Sequence, residues 1–455
     1  MLGYAEFLAT KRTVVQPTGH EIADGDIHPS LFGFQRDLVR WSVRKGRAAL
    51  FADTGLGKTR MQLEWARLTG QRALVLAPLA VAQQTVAEAR AIGIEAVYAR
   101  QQADAGPKIT VTNYEMLHAF DPSAFGAVVL DESSILKDFE GKVRANLIAA
   151  FRNTPYRLAC TATPAPNDIA EIANHAEFLG VMSRTEMLAA FFVHDDEGWR
   201  LKGHAREPFY RWLASWGMSL KRPSDLGYGD AGYDLPSLEI TAVLVPTTFT
   251  RPGQLFATDL KGIGDRAAVR RETLTERVRR AADLILSEPD EPWIAWVGLN
   301  DEGRELAKLI PDCVLMEGSQ TPDEKVAAIQ AFVRGDVRVL VTKTSMAGQG
   351  LNLQHCARMA FVGLSDSYEA YYQSIRRCWR YGQTRPVHAY IVLTEPEEAI
   401  YANVCRKQRE AESMASELVK HVAAFERAEI GSVGGRAESR HGQQMRLPAW
   451  LRGAA

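Results

Sequence analysis

The stretch Ala52-Asp53-Thr54-Gly55-Leu56-Gly57-Lys58-Thr59 follows a short apolar run at 48–51 and opens a helical pattern. A strand, a glycine-rich loop and a Lys-Thr helix start, in that order, make a cradle for a nucleoside triphosphate. The reason is physical. Backbone N–H groups and a helix N-terminus must wrap the phosphates, and glycine lets the main chain come close. Thr54, Gly55 and Gly57 form the loop, Lys58 is placed to reach the β- and γ-phosphates, and the Thr59 hydroxyl to ligate Mg2+. Ala52 stands where such a loop usually has its first glycine.

Outward from this loop, short apolar runs alternate with helical patterns, which predicts parallel sheets covered by helices. One series lies at 48–51, 73–77, 109–112, 127–130 and 156–160, and a second at 293–297, 313–316, 337–341, 358–362 and 387–392. Two α/β domains of similar size follow from this spacing. Between them, 178–236 is rich in aromatics and poor in strand signals. Phe209, Trp212 and Trp216 fall there at helical spacing, a pattern of core packing rather than of a base-stacking platform. A charged amphipathic helix is expected over 265–287, closed by Pro289 and Pro292. After about Tyr401 the chain reads as helical and charged, loosening at 431–435.

The run at 127–130 ends in Asp131-Glu132-Ser133-Ser134. Ligands of parallel sheets sit at the carboxyl ends of the strands. Asp131 there can hold Mg2+ through water, and Glu132 can orient and deprotonate an attacking water. Thr161 and Thr163 end the next strand, where their hydroxyls can bond the acid pair and sense the γ-phosphate. In the second half, Gln373, Arg377 and Arg380 share one helical face. Fixed, planar, permanently charged guanidinium groups suit a phosphoryl transition state across a cleft.

Composition bounds the reading. The 455 residues are 46% hydrophobic and 24% charged with a net charge of −1, an ordinary globular balance that announces no DNA-coating protein. Phosphate contacts, if made, must come from local basic patches and backbone amides in a cleft. Five scattered cysteines without ligand spacing predict neither structural zinc nor a disulfide framework. No apolar run approaches a membrane span, and the N-terminus lacks the apolar stretch of a signal peptide, so a cytoplasmic protein is expected.

Taken together and in order, GFQRD (33–37), ADTGLGKT (52–59), LVLAPLAV (74–81), VTNYEML (111–117), VVLDESS (128–134), TATP (161–164), VTKTSMAGQGLNL (341–353) and QSIRRCWRYGQ (373–383) resemble a superfamily 2 helicase-type ATPase. The resemblance covers roughly 30–395 and is strongest to the Swi/Snf-like branch, in the compact form of bacteriophages and bacteria. It implies two tandem RecA-like domains with a mainly helical insertion and a helical C-terminal extension. The expected divisions are 1–177 for the ATP-binding domain, 178–236 for the insertion, 237–400 for the second domain and 401–455 for the extension. The acid box is DESS, not DEAH or DEGH, and AGQGLNL is one residue shorter than the branch's usual form.

Residue by residue, the resemblance implies that Gln35, with Phe34 nearby, reads the adenine. Lys58 and Thr59 bind phosphate and Mg2+, Asp131 and Glu132 serve metal and water, and Thr161 and Thr163 couple hydrolysis to motion. Gly350 lines the nucleotide cleft from the second domain with Gln373, and Arg377 and Arg380 are arginine fingers. Pro78, Thr112, Asn113 and Thr344 match positions that touch the nucleic-acid backbone, and Arg222 and Leu235-Pro236 resemble the inter-domain junction. ATP and Mg2+ are the implied cofactors and DNA the implied partner, with no membrane. The expected activity is ATP-driven translocation on DNA in replication, recombination or repair. A motor in a restriction or defence assembly, an RNA helicase and an ATP-dependent clamp are the alternatives. From 400 onward nine Lys/Arg face six Glu, a surplus compatible with a solvated helix and tail. A tail that touches DNA or docks Leu447, Trp450 and Leu451 on the body is the lesser alternative.

Overall fold

The computed structural model describes residues 15–137, 141–165, 168–195, 198–246, 271–347, 353–364 and 367–434. Fifteen strands occur among them: β1 (Arg47–Ala52), β2 (Ala73–Ala77), β3 (Ala96–Tyr98), β4 (Ile109–Asn113), β5 (Ala127–Asp131), β6 (Tyr156–Cys160), β7 (Phe192–Asp195), β8 (Gly198–Leu201), β9 (Gly217–Leu220), β10 (Leu238–Val245), β11 (Trp293–Val297), β12 (Cys313–Met316), β13 (Val339–Lys343), β14 (Arg358–Phe361) and β15 (Val387–Thr394). The first sheet runs β3-β4-β2-β5-β6-β1-β9, the second β10-β15-β14-β11-β13-β12. Every pairing within these two sheets is parallel. Helices cover both, giving two RecA-like domains followed by a helical C-terminal region.

The central strands are continuous apolar runs because both faces are buried. Along β1, Ala48, Leu50 and Ala52 enter one core while Ala49 and Phe51 enter the other. Trp293 and Ala295 on β11 alternate in the same way with Ile294 and Trp296 around the second sheet.

The stretch 178–236 departs from its strand-poor reading. It contributes the antiparallel pair β7–β8 and also β9, which extends the first sheet beside β1. Phe209, Trp212 and Trp216 are buried in the first domain's core, as their spacing suggests. The amphipathic helix of the second domain is Leu274–Ser287; the part of its expected span before 271 lies outside the described residues.

The C-terminal helix, Glu398–Gly434, is not a solvated appendage and does not break at 431. Val404 is buried in the second domain's core, whereas Leu418 and Val422 are buried in the first. Polar contacts fasten the same end. Lys45 Nζ pairs with Glu429 at 2.7 Å, Lys221 Nζ donates to Ser416 Oγ at 2.8 Å, and His421 stacks on Tyr210. Leu447, Trp450 and Leu451 lie outside the described residues.

Glu426 is fully buried on this helix, where one carboxylate oxygen accepts from the Ser219 N–H at 2.6 Å. Burial pushes its carboxyl well above the ordinary 4.5. For an acid whose folded-state pKa is raised, stability is greatest below the unfolded pKa and falls as pH rises through the folded one. Glu426→Gln keeps the acceptor without the charge. It is therefore expected to melt above the parent at pH 8 and to converge with it below about pH 4.5; equal melting temperatures at pH 8 would refute this.

Candidate nucleotide site and interdomain cleft

The loop after β1 owes its shape to two glycines in the left-handed region, Gly55 at φ 93° and Gly57 at φ 79°. Gly57 caps the helix Lys58–Leu68, and a Cβ there would stand 2.3 Å from the Gln35 amide nitrogen. Gln35 is buried, donating to the Leu56 carbonyl at 2.9 Å and accepting from the Phe32 N–H at 3.0 Å. Its amide thus supports the loop from behind. Lys58 Nζ donates to the Ala52 carbonyl at 2.8 Å and the Asp53 carbonyl at 3.3 Å, and Thr59 follows, half-buried, in the first helical turn. The Thr54 hydroxyl is buried without a hydrogen-bond partner. The lysine and the unsatisfied hydroxyl are both groups that could serve an anion held at this loop.

Across the loop, Asp131 ends β5, buried, with one carboxylate oxygen accepting from Gln62 Nε2 at 2.7 Å. Burial, reinforced by Glu132, raises its pKa to about 6; the Gln62 bond and Lys58 oppose that rise. A nearby cation would favour the charged form. Glu132 holds φ at 53°, left-handed for a residue with a Cβ, a conformation that costs on the order of 1–3 kcal/mol. Thr161 Oγ1 donates to Glu132 Oε2 at 3.5 Å and accepts from the Thr163 N–H at 3.1 Å. The Thr163 hydroxyl is buried without a partner. Ser133 Oγ sits 3.0 Å from Nε2 of buried His175, whose pKa burial lowers to about 4, leaving a neutral ring at pH 7.

The second domain brings the helix Tyr368–Cys378 to this loop. Gln373 and Arg377 share a face, as expected, but they bond each other: Arg377 Nη2 donates to Gln373 Oε1 at 2.6 Å. Arg380 lies just past the helix end, in the turn closed by Gln383 N–H to the Arg380 carbonyl. Burial and the neighbouring Arg377 and Arg376 guanidiniums lower the Arg380 pKa to about 10, partly offset by Glu132. Arg377 is shifted down too, chiefly by burial, with Glu132 again opposing. The acid pair and both arginines therefore share one electrostatic neighbourhood, and the crowded cations favour an anion.

The second-domain side chains that touch this loop lie outside the expected set. Arg376 Nη2 donates to the Thr54 carbonyl at 3.0 Å and pairs with Asp53 at 2.9 Å. The Tyr372 hydroxyl donates to the same Asp53 carboxylate at 2.8 Å, and a Cβ on Gly55 would meet Tyr381 at 3.0 Å. Tyr368, Tyr372 and Arg376 recur every four residues, and that stripe was the available signal for this second face.

A cleft of about 810 Å³ separates the domains; Pro78, Tyr114, Glu115, Glu132, Lys137 and Met346 are among the side chains on its walls. Lys137 forms an ion pair across it with Glu369. Pro78 lines it, capping the helix Leu79–Ala91. Thr112 and Asn113 do not: they are 0% and 4% exposed, and the Asn113 amide is engaged by Tyr98 and Glu115. The next two residues, Tyr114 and Glu115, face the cleft in their place. Thr344 is half-buried beside the cleft residues Ser345 and Met346. Gly350 lies outside the described residues. Tyr114 also reaches inward, its hydroxyl donating to the Asp131 carbonyl at 2.7 Å. Among the described residues, no helix is long and apolar enough to cross a membrane.

No curated protein matches the chain. Residues 289–382 match the helicase conserved C-terminal domain, a span that runs from before β11 through the arginine helix to Gly382. The match supports a helicase-type protein of superfamily 1 or 2, with the nucleotide use and nucleic-acid binding general to that class.

Proposed function

We propose that this protein is an ATP-dependent DNA translocase of the Swi/Snf-like branch, in its compact bacteriophage or bacterial form. The observation that carries the reading is the direct seating of the second domain's arginine helix on the phosphate loop, through Arg376 to Thr54 and Asp53. We also propose the divisions 1–177, 178–236, 237–400 and 401–455, with β9 of the second segment completing the first sheet.

The residues fit Mg2+ and a triphosphate: left-handed glycines, an unsatisfied Thr54 hydroxyl, a buried acid beside Lys58, and crowded guanidiniums opposite. Gly55, Gly57, Lys58, Thr59 and Asp131 would hold them, the ion offsetting phosphate charge and orienting the transferred group. Glu132 takes the proton of the attacking water on its carboxylate, steadied by Thr161. Arg377 and Arg380 present fixed positive charge to the developing negative charge. Gln35 acts through the loop it supports, beside the base. Pro78 and Thr344 contact the nucleic-acid backbone from opposite domains, with Thr112 and Asn113 shaping the first wall from beneath. When the arginine helix parts from the loop, the two walls change their grip, and the strand is passed from one to the other.

The deciding experiment compares ATP hydrolysis with duplex DNA, single-stranded DNA and RNA, paired with strand displacement on forked DNA. Strongest stimulation by duplex DNA without unwinding is expected; strongest stimulation by RNA would overturn the assignment. Binding should also be sequence-independent and weaken with salt, log K falling against log salt by about 0.9 per phosphate neutralised on duplex DNA. Fluorescence anisotropy over a salt series measures that slope, and a flat line would refute backbone recognition.

A further inference from the structure

Tyr114 belongs to two surfaces at once. Its ring lines the interdomain cleft, and its hydroxyl donates to the Asp131 carbonyl at 2.7 Å. That carbonyl belongs to the peptide leading into Glu132, which holds φ at 53°. The β2–β5 register ends at Leu76 opposite Leu130, so the tyrosine engages the strand one residue past its last partner on β2. Glu132 itself borders the same cleft. One rigid ring therefore connects the cleft wall to the peptide that aims the acid.

Resting on the ATPase reading above, we propose that Tyr114 is a positioning residue that transmits nucleic-acid occupancy of the cleft to Glu132. A strand lying against the first domain's wall meets the ring between Pro78 and Glu115. Because an aromatic ring is stiff, displacement at its cleft edge moves the hydroxyl. The hydroxyl is bonded to the peptide whose plane, with the left-handed φ of Glu132, sets the direction of the carboxylate. Occupancy thus turns the acid toward the attacking water without touching it. Tyr114 has no role in proton transfer here; it acts only through the backbone of the acid pair.

The test is Tyr114→Phe in the full chain, which deletes one oxygen and keeps the ring, with folding checked by the melting transition. With saturating duplex DNA, kcat is expected to fall about tenfold or more, while KM for ATP and Kd for DNA stay within about twofold of the parent. Tyr114→Leu, lacking ring and hydroxyl, should show the same kcat loss. 4-Aminophenylalanine placed at position 114 restores an N–H donor at the same point and should recover stimulation, which a merely space-filling role would not require. Full stimulation in Tyr114→Phe, or a kcat loss wholly explained by weaker DNA binding, overturns the proposal. If the parent shows no nucleic-acid-stimulated hydrolysis at all, the ATPase reading fails instead, so the two failures are separable.

Discussion

Arg380→Ala is expected to lower DNA-stimulated ATP hydrolysis on the order of 10³–10⁵-fold, as loss of an arginine finger does in phosphoryl transfer. That range corresponds to about 4–7 kcal/mol of transition-state stabilisation. The size follows from placement. Arg380 is crowded by Arg377 and Arg376 and opposed by Glu132, so in the proposed reaction its charge would stand where negative charge develops, at a distance from bulk water. Steady-state kinetics should show the loss in kcat with KM for ATP little changed, because the interaction is made chiefly in the transition state. Lys58→Ala and Glu132→Gln should likewise abolish stimulated turnover, with circular dichroism unchanged. Full turnover in any of the three would mean that the site is wrongly assigned.

The largest stability effect is expected in the second domain, at Arg277. This side chain is fully buried on the helix Leu274–Ser287, paired with Glu302 at 2.8 Å and Glu397 at 3.3 Å. Both acids are occupied in turn. Glu302 accepts from the Gly298 and Leu299 N–H groups, and Glu397 from the Thr394 N–H and hydroxyl. Neither can move to water without dismantling a helix start. Arg277→Met would leave two buried carboxylates without their cation, at a cost of about 3–5 kcal/mol. In a domain of this size that lowers the melting transition on the order of 10 °C. Adding Glu302→Gln removes one of the stranded charges and should recover part of the loss. A melting temperature within a degree or two of the parent would refute the argument.

The central strands were legible because parallel sheets buried on both faces write themselves as unbroken apolar runs. The missed strands lack that signature for separate reasons. Ala96–Tyr98 is only three residues long, Gly217–Leu220 carries a glycine and a serine, and Leu238–Val245 alternates between exposed and buried side chains. At the candidate site, Lys58, Asp131, Glu132, Arg377 and Arg380 stand close enough to influence one another. What escaped the sequence was the finer matter of direction. Arg376 and Arg377 are neighbours in the chain, yet the helix turns about 100° between them, sending one to the phosphate loop and the other to Gln373. Thr112 and Asn113 sit at the end of β4, where strand pleat and an amide bond turned them inward and left Tyr114 at the wall. Motif spacing places a residue on an element; only packing decides which way its side chain leaves it.

The helix Glu398–Gly434 has a consequence for how the polypeptide matures on the ribosome. The first domain's strands are synthesised before Leu418, Val422 and Glu426, which cap its hydrophobic interior and the β9 edge. At roughly 5–20 residues per second, about two hundred residues separate translation of β9 from that of its cover, a lag of about ten to forty seconds. Throughout that interval the nascent chain carries an unsealed apolar seam, so protection by a chaperone would matter most for the half of the protein that emerged earliest.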